Sequence, residues 1–324
     1  KKEVWEFADK QLGKESNIYW EKIYPNVYQA EEELAFVPLI ATEHNRPDIA
    51  LAAVNSLIHE NKEYPVDTAI EALINLATST SANFRVDQHD ILNIIKNLQD
   101  SSETRQDKMV EIEILYLRLL DRISGGEPKF VELDLATNPD SFHEIIKICF
   151  RSEKSLNKKD ELSEEDKSKA EFFYRLIHIW QTPPGSLRGG GFDEQQLTNW
   201  IIAAKALCIE SGHWQIAQQK IGETFAYPPA GLIGMLENTA YAKILDNAEH
   251  EEMRTGFRIR LFNNRGTHGF TAGKEELKIA AHYHSLADKY DEQKFTQIAA
   301  TLRSLAVSYE RDAERDSKRD PFDD

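Results

Sequence analysis

The sequence predicts an all-α protein of stacked antiparallel helix pairs, solenoid-like in arrangement and ending in a long helical hairpin. Three observations carry that prediction. Apolar residues recur at helical spacing in nearly every segment. Glycine and proline are scarce, 15 and 11 in 324 residues, which argues against a sandwich or barrel of many short strands. Hydrophobic residues make up 41% and charged residues 29%, enough apolar matter for a core beneath wide polar faces.

The elements follow in order. "RPDIALAAVNSLIHE" places Ile49, Ala53, Val54, Leu57 and Ile58 on one face behind Pro47 and Asp48, a start signal. "YPVDTAIEALINLAT" repeats the pattern with Ile70, Leu73, Ile74 and Ala77 behind Pro65 and Asp67. "QHDILNIIKNLQ" contributes Ile91, Ile94, Ile95 and Leu98, and "MVEIEILYLRLLDRI" contributes Ile112, Leu115, Leu119 and Ile123. The polar joints between them are short, so neighbouring helices return antiparallel. Near the end, Ile279, Tyr283, Leu286 and Tyr290, then Phe295, Ile298, Leu302, Leu305 and Tyr309, alternate in steps of three and four. These two seams, joined by "DEQK", predict the terminal hairpin.

Composition divides the chain into a helical array at 1–150, a charged linker at 151–171 and a C-terminal helical region with the hairpin at 172–324. A second joint, "QTPPGSLRGGGFDEQQ", reads as a flexible connector ending in an Asp193 helix cap. Its three glycines follow no strand, so they do not form a phosphate-binding turn.

Net charge is −16 (39 basic, 55 acidic), which disfavours nucleic acid as a partner. Cys149 and Cys208 sit in apolar helical patterns and read as core thiols of a cytoplasmic protein. No run approaches 18 apolar residues and no signal peptide opens the chain, so no membrane is expected. A start at Lys1 rather than methionine suggests a piece of a larger polypeptide.

The stretch "RLFNNRGTHGFTAGKEE" is the best candidate for a site, with Asn263, Asn264, Arg265, His268 and Lys274 as its binding residues. Its chemistry is limited. A P-loop needs four residues between its glycines and Ser or Thr after the lysine. Gly269 and Gly273 enclose three, and Glu275 follows Lys274. His282 and His284 are two apart and so point to different sides of a helix, so no metal is expected. No nucleophile elbow or catalytic cysteine context occurs, so no catalytic residue and no cofactor are assigned. The structural alternative is a helix running through Phe257 and Leu261, a turn at Asn263, Asn264 and Gly266, and Arg265 tying that turn to the next helix.

"LIHIWQTPPG", "FDEQQLTNWIIAAKAL", "IAQQKIGETFAYPPA" and above all "GFRIRLFNNRGTHGFTAGKEELKIAAHYHSLADKY" with "FTQIAATLRSLAVSYERDAERD" resemble the C-terminal helical region of large, poorly characterised bacterial multidomain proteins. Weaker likeness extends to "YWEKIYPNVY", "PDIALAAVNSLIHE", "EIEILYLRLL" and "NPDSFHEIIKICFRS". An aromatic commonly follows the histidine position in that group; Gly269 stands there instead. The resemblance implies a defence-like context, with an enzymatic module upstream and helices that sense or scaffold. It implies no catalytic residue.

The expected function is therefore a scaffold or sensor that binds a protein partner or upstream domains of the same polypeptide, with its oligomeric state open. Trp180, Trp200, Trp214 and Tyr227 are the aromatics that would anchor such a partner if exposed, though their helical spacing suits the core. The alternative is a small-molecule or nucleotide sensor or hydrolase centred on 263–274.

Overall fold

Helix-favouring sequence becomes helix almost throughout the computed structural model, which describes residues 2–22, 36–79, 84–120, 122, 125–155, 163–227, 239–266 and 271–318. Sixteen α-helices lie among those residues, with no strand and one isolated bridge, between Ser186 and Phe192. The all-α class and the terminal hairpin are both as expected. The chain divides into two compact units, Lys1–Val131 and Glu132–Asp324. The division falls well before the change in composition at 151, because composition reports exposure whereas a unit is set by what packs together.

The first unit contains α1 (Lys2–Leu12), α2 (Ser16–Lys22), α3 (Val37–Glu43), α4 (Pro47–His59), α5 (Val66–Thr78), α6 (Gln88–Asp100) and α7 (Gln106–Leu115). Pro47 opens α4 at its first turn, where its missing N–H removes no helical bond. Asp87 caps α6 by accepting from the His89 N–H at 2.7 Å. The predicted seams meet in one core: Ile49, Val54, Leu57, Leu73, Ile94, Ile95, Leu98 and Ile112 are all buried.

The fourth predicted helix is shorter than its seam. It stops at Leu115, and Tyr116–Leu120 continue in tight turns, with Leu119 N–H donating to the Tyr116 carbonyl at 2.8 Å. "ILYLRLL" is apolar but for the exposed Arg118, so periodicity alone does not fix where a helix ends there. Ile123 lies outside the described residues. Glu113 in α7 is fully buried and accepts from Gln99 Nε2 (2.6 Å) and from the Phe130 and Val131 N–H groups (2.9 and 2.8 Å). Its carboxylate thus caps the start of α8 (Lys129–Thr137), inside which the two-unit division falls.

The second unit continues with α9 (Pro139–Cys149), α10 (Glu164–Ile179), α11 (Glu194–Ser211), α12 (Trp214–Thr224), α13 (Thr239–Leu245), α14 (Glu251–Asn263), α15 (Lys274–Glu292) and α16 (Thr296–Lys318). The expected linker is helical from Glu164. Ser163 caps α10 by accepting from the Asp166 N–H at 3.1 Å, and Lys167 pairs with Glu164 one turn away at 2.6 Å. Mixed charges at that spacing support a solvated helix as readily as a linker. The glycine-rich joint is a closed turn rather than a loose connector: Leu187 N–H donates to Gly191 (3.2 Å) and Asp193 N–H to Gly185 (2.8 Å). Asp193 then caps α11, as predicted, through the Gln196 N–H at 2.9 Å.

Two features hold this unit together. Phe142, Trp180 and Trp200 pack with ring centroids 5.1–6.3 Å apart, all buried. Beside them the buried Glu132 carboxylate accepts from the Gln181 and Thr182 N–H groups (each 3.1 Å) and the Thr182 hydroxyl (2.8 Å). The second feature is the contact of α12 with α14, where glycines face backbone in both directions. A Cβ on Gly222 would lie 1.9 Å from the Met253 carbonyl oxygen, and one on Gly256 would lie 2.0 Å from that of Gln219.

Candidate functional site

The candidate loop begins where α14 ends. Asn264 N–H closes the last turn on the Arg260 carbonyl (2.9 Å), and Gly266, at φ +65°, donates to Asn263 (3.0 Å). His268 lies outside the described residues. The chain resumes at Thr271 and passes through Ala272 and Gly273, both left-handed, into α15. Gly273 touches α16 so closely that a Cβ there would sit 2.4 Å from the Ala313 carbonyl oxygen. No side chain fits at that position, which is the physical reason for the third glycine of the loop.

Among the described residues, the predicted binding residues take separate partners. Asn263 and Asn264 are exposed, and Asn264 Oδ1 accepts from the Tyr227 hydroxyl at 3.1 Å. Arg265 instead pairs with Glu276, which is buried at the third position of α15, and its guanidinium lies 5.9 Å from the Tyr309 ring centroid. The other Glu276 oxygen accepts from the Thr271 hydroxyl at 3.0 Å. Burial pushes the Glu276 carboxyl upward, but its own backbone N–H, Arg265 and Thr271 outweigh this and hold it below the usual range. Lys274 is exposed and meets no carboxylate among the described residues.

Arg265 thus ties the end of α14 to the start of α15, the structural alternative set out above. The helix through Phe257 and Leu261, part of that alternative, also forms, with Leu261 packed against the α15–α16 core and Tyr309 donating to the Phe262 carbonyl (3.3 Å).

Sequence reasoning missed the neighbouring charge cluster. Glu223 on α12 binds Arg260 Nη2 at 2.5 Å and Lys220 at 2.7 Å, with all three side chains mostly buried. Arg260 also donates to the His178 carbonyl (2.8 Å). The three charges fall at otherwise apolar positions, and no motif spacing marks them.

Of the proposed aromatic anchors, Trp180 and Trp200 are core, while Trp214 and Tyr227 are half-buried. Exposed apolar side chains stand on several helices, among them Val4 and Phe7 on α1, Ile259 and Phe262 on α14, and a stripe on α11. On α11, Ile202 is 63% and Ile209 50% exposed, with Ala206 exposed between them. They stand at i, i+4 and i+7, on the side opposite the buried Leu197, Trp200, Ala204 and Cys208. An α-helix apolar on both sides normally has both covered.

Cys149 and Cys208 are free thiols, each pushed up to about 12 by burial, so neither is a nucleophile near neutral pH. Among the described residues no three His, Cys, Asp or Glu side chains group as metal ligands, and no helix is long and apolar enough to cross a membrane. Comparison with protein-family models, curated proteins and solved structures yields no match.

Proposed function

We propose that this chain is a helical scaffold or sensor module of a bacterial, defence-like protein. In this reading it acts in the cytoplasm by holding a protein partner, or another domain of its own polypeptide, against α11. The observation that carries the proposal is the exposed Ile202–Ala206–Ile209 stripe on a helix whose other side is already buried. Burying both isoleucines would contribute on the order of 2–4 kcal/mol, at roughly 25 cal/mol per Å2 of apolar surface. The net charge of −16 opposes non-specific adhesion, so specificity falls to shape and apolar contact.

The test is retention of a stoichiometric companion by the full chain at about 0.5 M salt, where surface charges are screened beyond a few Å. Ile202→Glu and Ile209→Glu should each release the companion without altering the melting curve. Retention unchanged in both variants contradicts the proposal. So does a melt raised by a nucleotide and insensitive to the isoleucines but lost in Arg265→Ala, which would establish the sensor alternative instead.

A further inference from the structure

Thr255 and Arg258 on α14 and Gln297, Thr301 and Ser304 on α16 line one concave surface. Each set follows helical spacing, so each occupies one face of its helix, and the small Ala300 leaves room between them. Hydrogen-bond accounting distinguishes this cleft. Arg254 at its floor is engaged, donating through Nη1 to the Leu245 and Asn247 carbonyls at 2.7 and 2.6 Å. The Thr301 hydroxyl donates to the Gln297 carbonyl (2.9 Å).

Arg258 differs. It is half-buried, yet its guanidinium meets no carboxylate or carbonyl among the described residues. The Thr255 and Ser304 hydroxyls are also without partners there. In a chain where acidic residues outnumber basic ones 55 to 39, a half-buried arginine without a carboxylate needs a reason. Among the described residues, Asp246 and Glu251 act on the neighbouring Arg254. Asp246 is engaged in capping α16, accepting from the Gln297 and Ile298 N–H groups at 2.6 and 3.2 Å. Glu251 lines the cleft beside Arg254, about 10 Å along the helix axis from Arg258.

We propose that this cleft binds the phosphate group of a small molecule, held by the Arg258 guanidinium and the Thr255 and Ser304 hydroxyls. A carboxylate has two oxygens, which one guanidinium satisfies in a fork. A phosphate offers a third, matching the hydroxyl donors that approach from both helices. The site is separate from the 263–274 loop and from the α11 stripe, and it does not depend on the scaffold proposal.

The experiment is calorimetric titration of the full chain with inorganic phosphate, with acetate as comparison, at constant ionic strength. Phosphate should bind saturably, and at least tenfold more tightly than acetate. Arg258→Gln should weaken it at least tenfold while melting like the parent, since Arg258 makes no side-chain bond among the described residues. Ser304→Asp, which introduces a carboxylate at the cleft surface, should weaken it similarly. Absence of saturable binding overturns the proposal, as does acetate binding equally well or an Arg258→Gln affinity within twofold of the parent.

Discussion

Replacing Gly256 with alanine adds one methyl group where α14 meets α12. Its Cβ would lie 2.0 Å from the Gln219 carbonyl oxygen, against 3.4 Å or more for ordinary contact, so the helices must separate locally by about 1.4 Å. The obstacle is backbone, so no side-chain rotation relieves it. Alanine is the better helix former by about 1 kcal/mol, whereas forced overpacking costs about 1–3 kcal/mol, and a rigid obstacle places this site at the upper end. The expected net loss is about 2 kcal/mol, or roughly 4–8 °C in melting temperature for a unit of this size. Gly222→Ala meets the Met253 carbonyl in the same way and should cost about as much. The double variant should lose clearly less than the sum, because a separation that admits one methyl admits much of the second. Circular-dichroism melts of the four proteins complete the cycle. A Gly256→Ala protein as stable as the parent, or strict additivity in the double variant, would refute the close-approach argument.

Three further outcomes follow from the same geometry. Arg265→Ala strands the buried Glu276 carboxylate and should cost about 3 kcal/mol in urea unfolding, much of it restored by Glu276→Gln in the same chain; an unchanged midpoint would show that Arg265 does not hold the loop. Cys149 and Cys208 should react with a thiol reagent at pH 8 far more slowly than in urea, since burial raises both thiols to about 12; equal rates would contradict that burial. Burial holds His143 and His250 below the ordinary 6.5, so the unfolded chain binds protons first as pH falls. Their contribution is complete above about pH 6.5 and is lost as pH drops through the folded values, so urea midpoints should decline from pH 7.5 to 5.5; a flat or rising profile would contradict this.

Much of the fold was legible in the sequence because helical period reports burial directly. The seams at 49–58, 70–74 and 91–98 and the terminal pair became core-facing helix, while Ala77, expected on the second seam, is exposed. Periodicity fell short at Tyr116, where a run apolar except for Arg118 hardly marks a face, and at 164–171, where a charged stretch reads alike as linker or solvated helix. The loop's arginine was visible, but its partner was not: Glu276 is one of 55 acidic residues, and only packing reveals that it lies buried beside Arg265. The α11 stripe escaped for a related reason. Ile202 and Ile209 look like core residues in sequence, and only the already filled opposite face marks them as surplus.

The central claim is that α11 presents a protein-binding face. Its most direct test is a photo-crosslinking amino acid at position 202 of the full chain in its native host, with the products resolved by mass. The expected product is one discrete crosslinked protein, or one discrete internal crosslink, that disappears on Ile209→Glu. A diffuse ladder, or a product insensitive to Ile209→Glu, would contradict it.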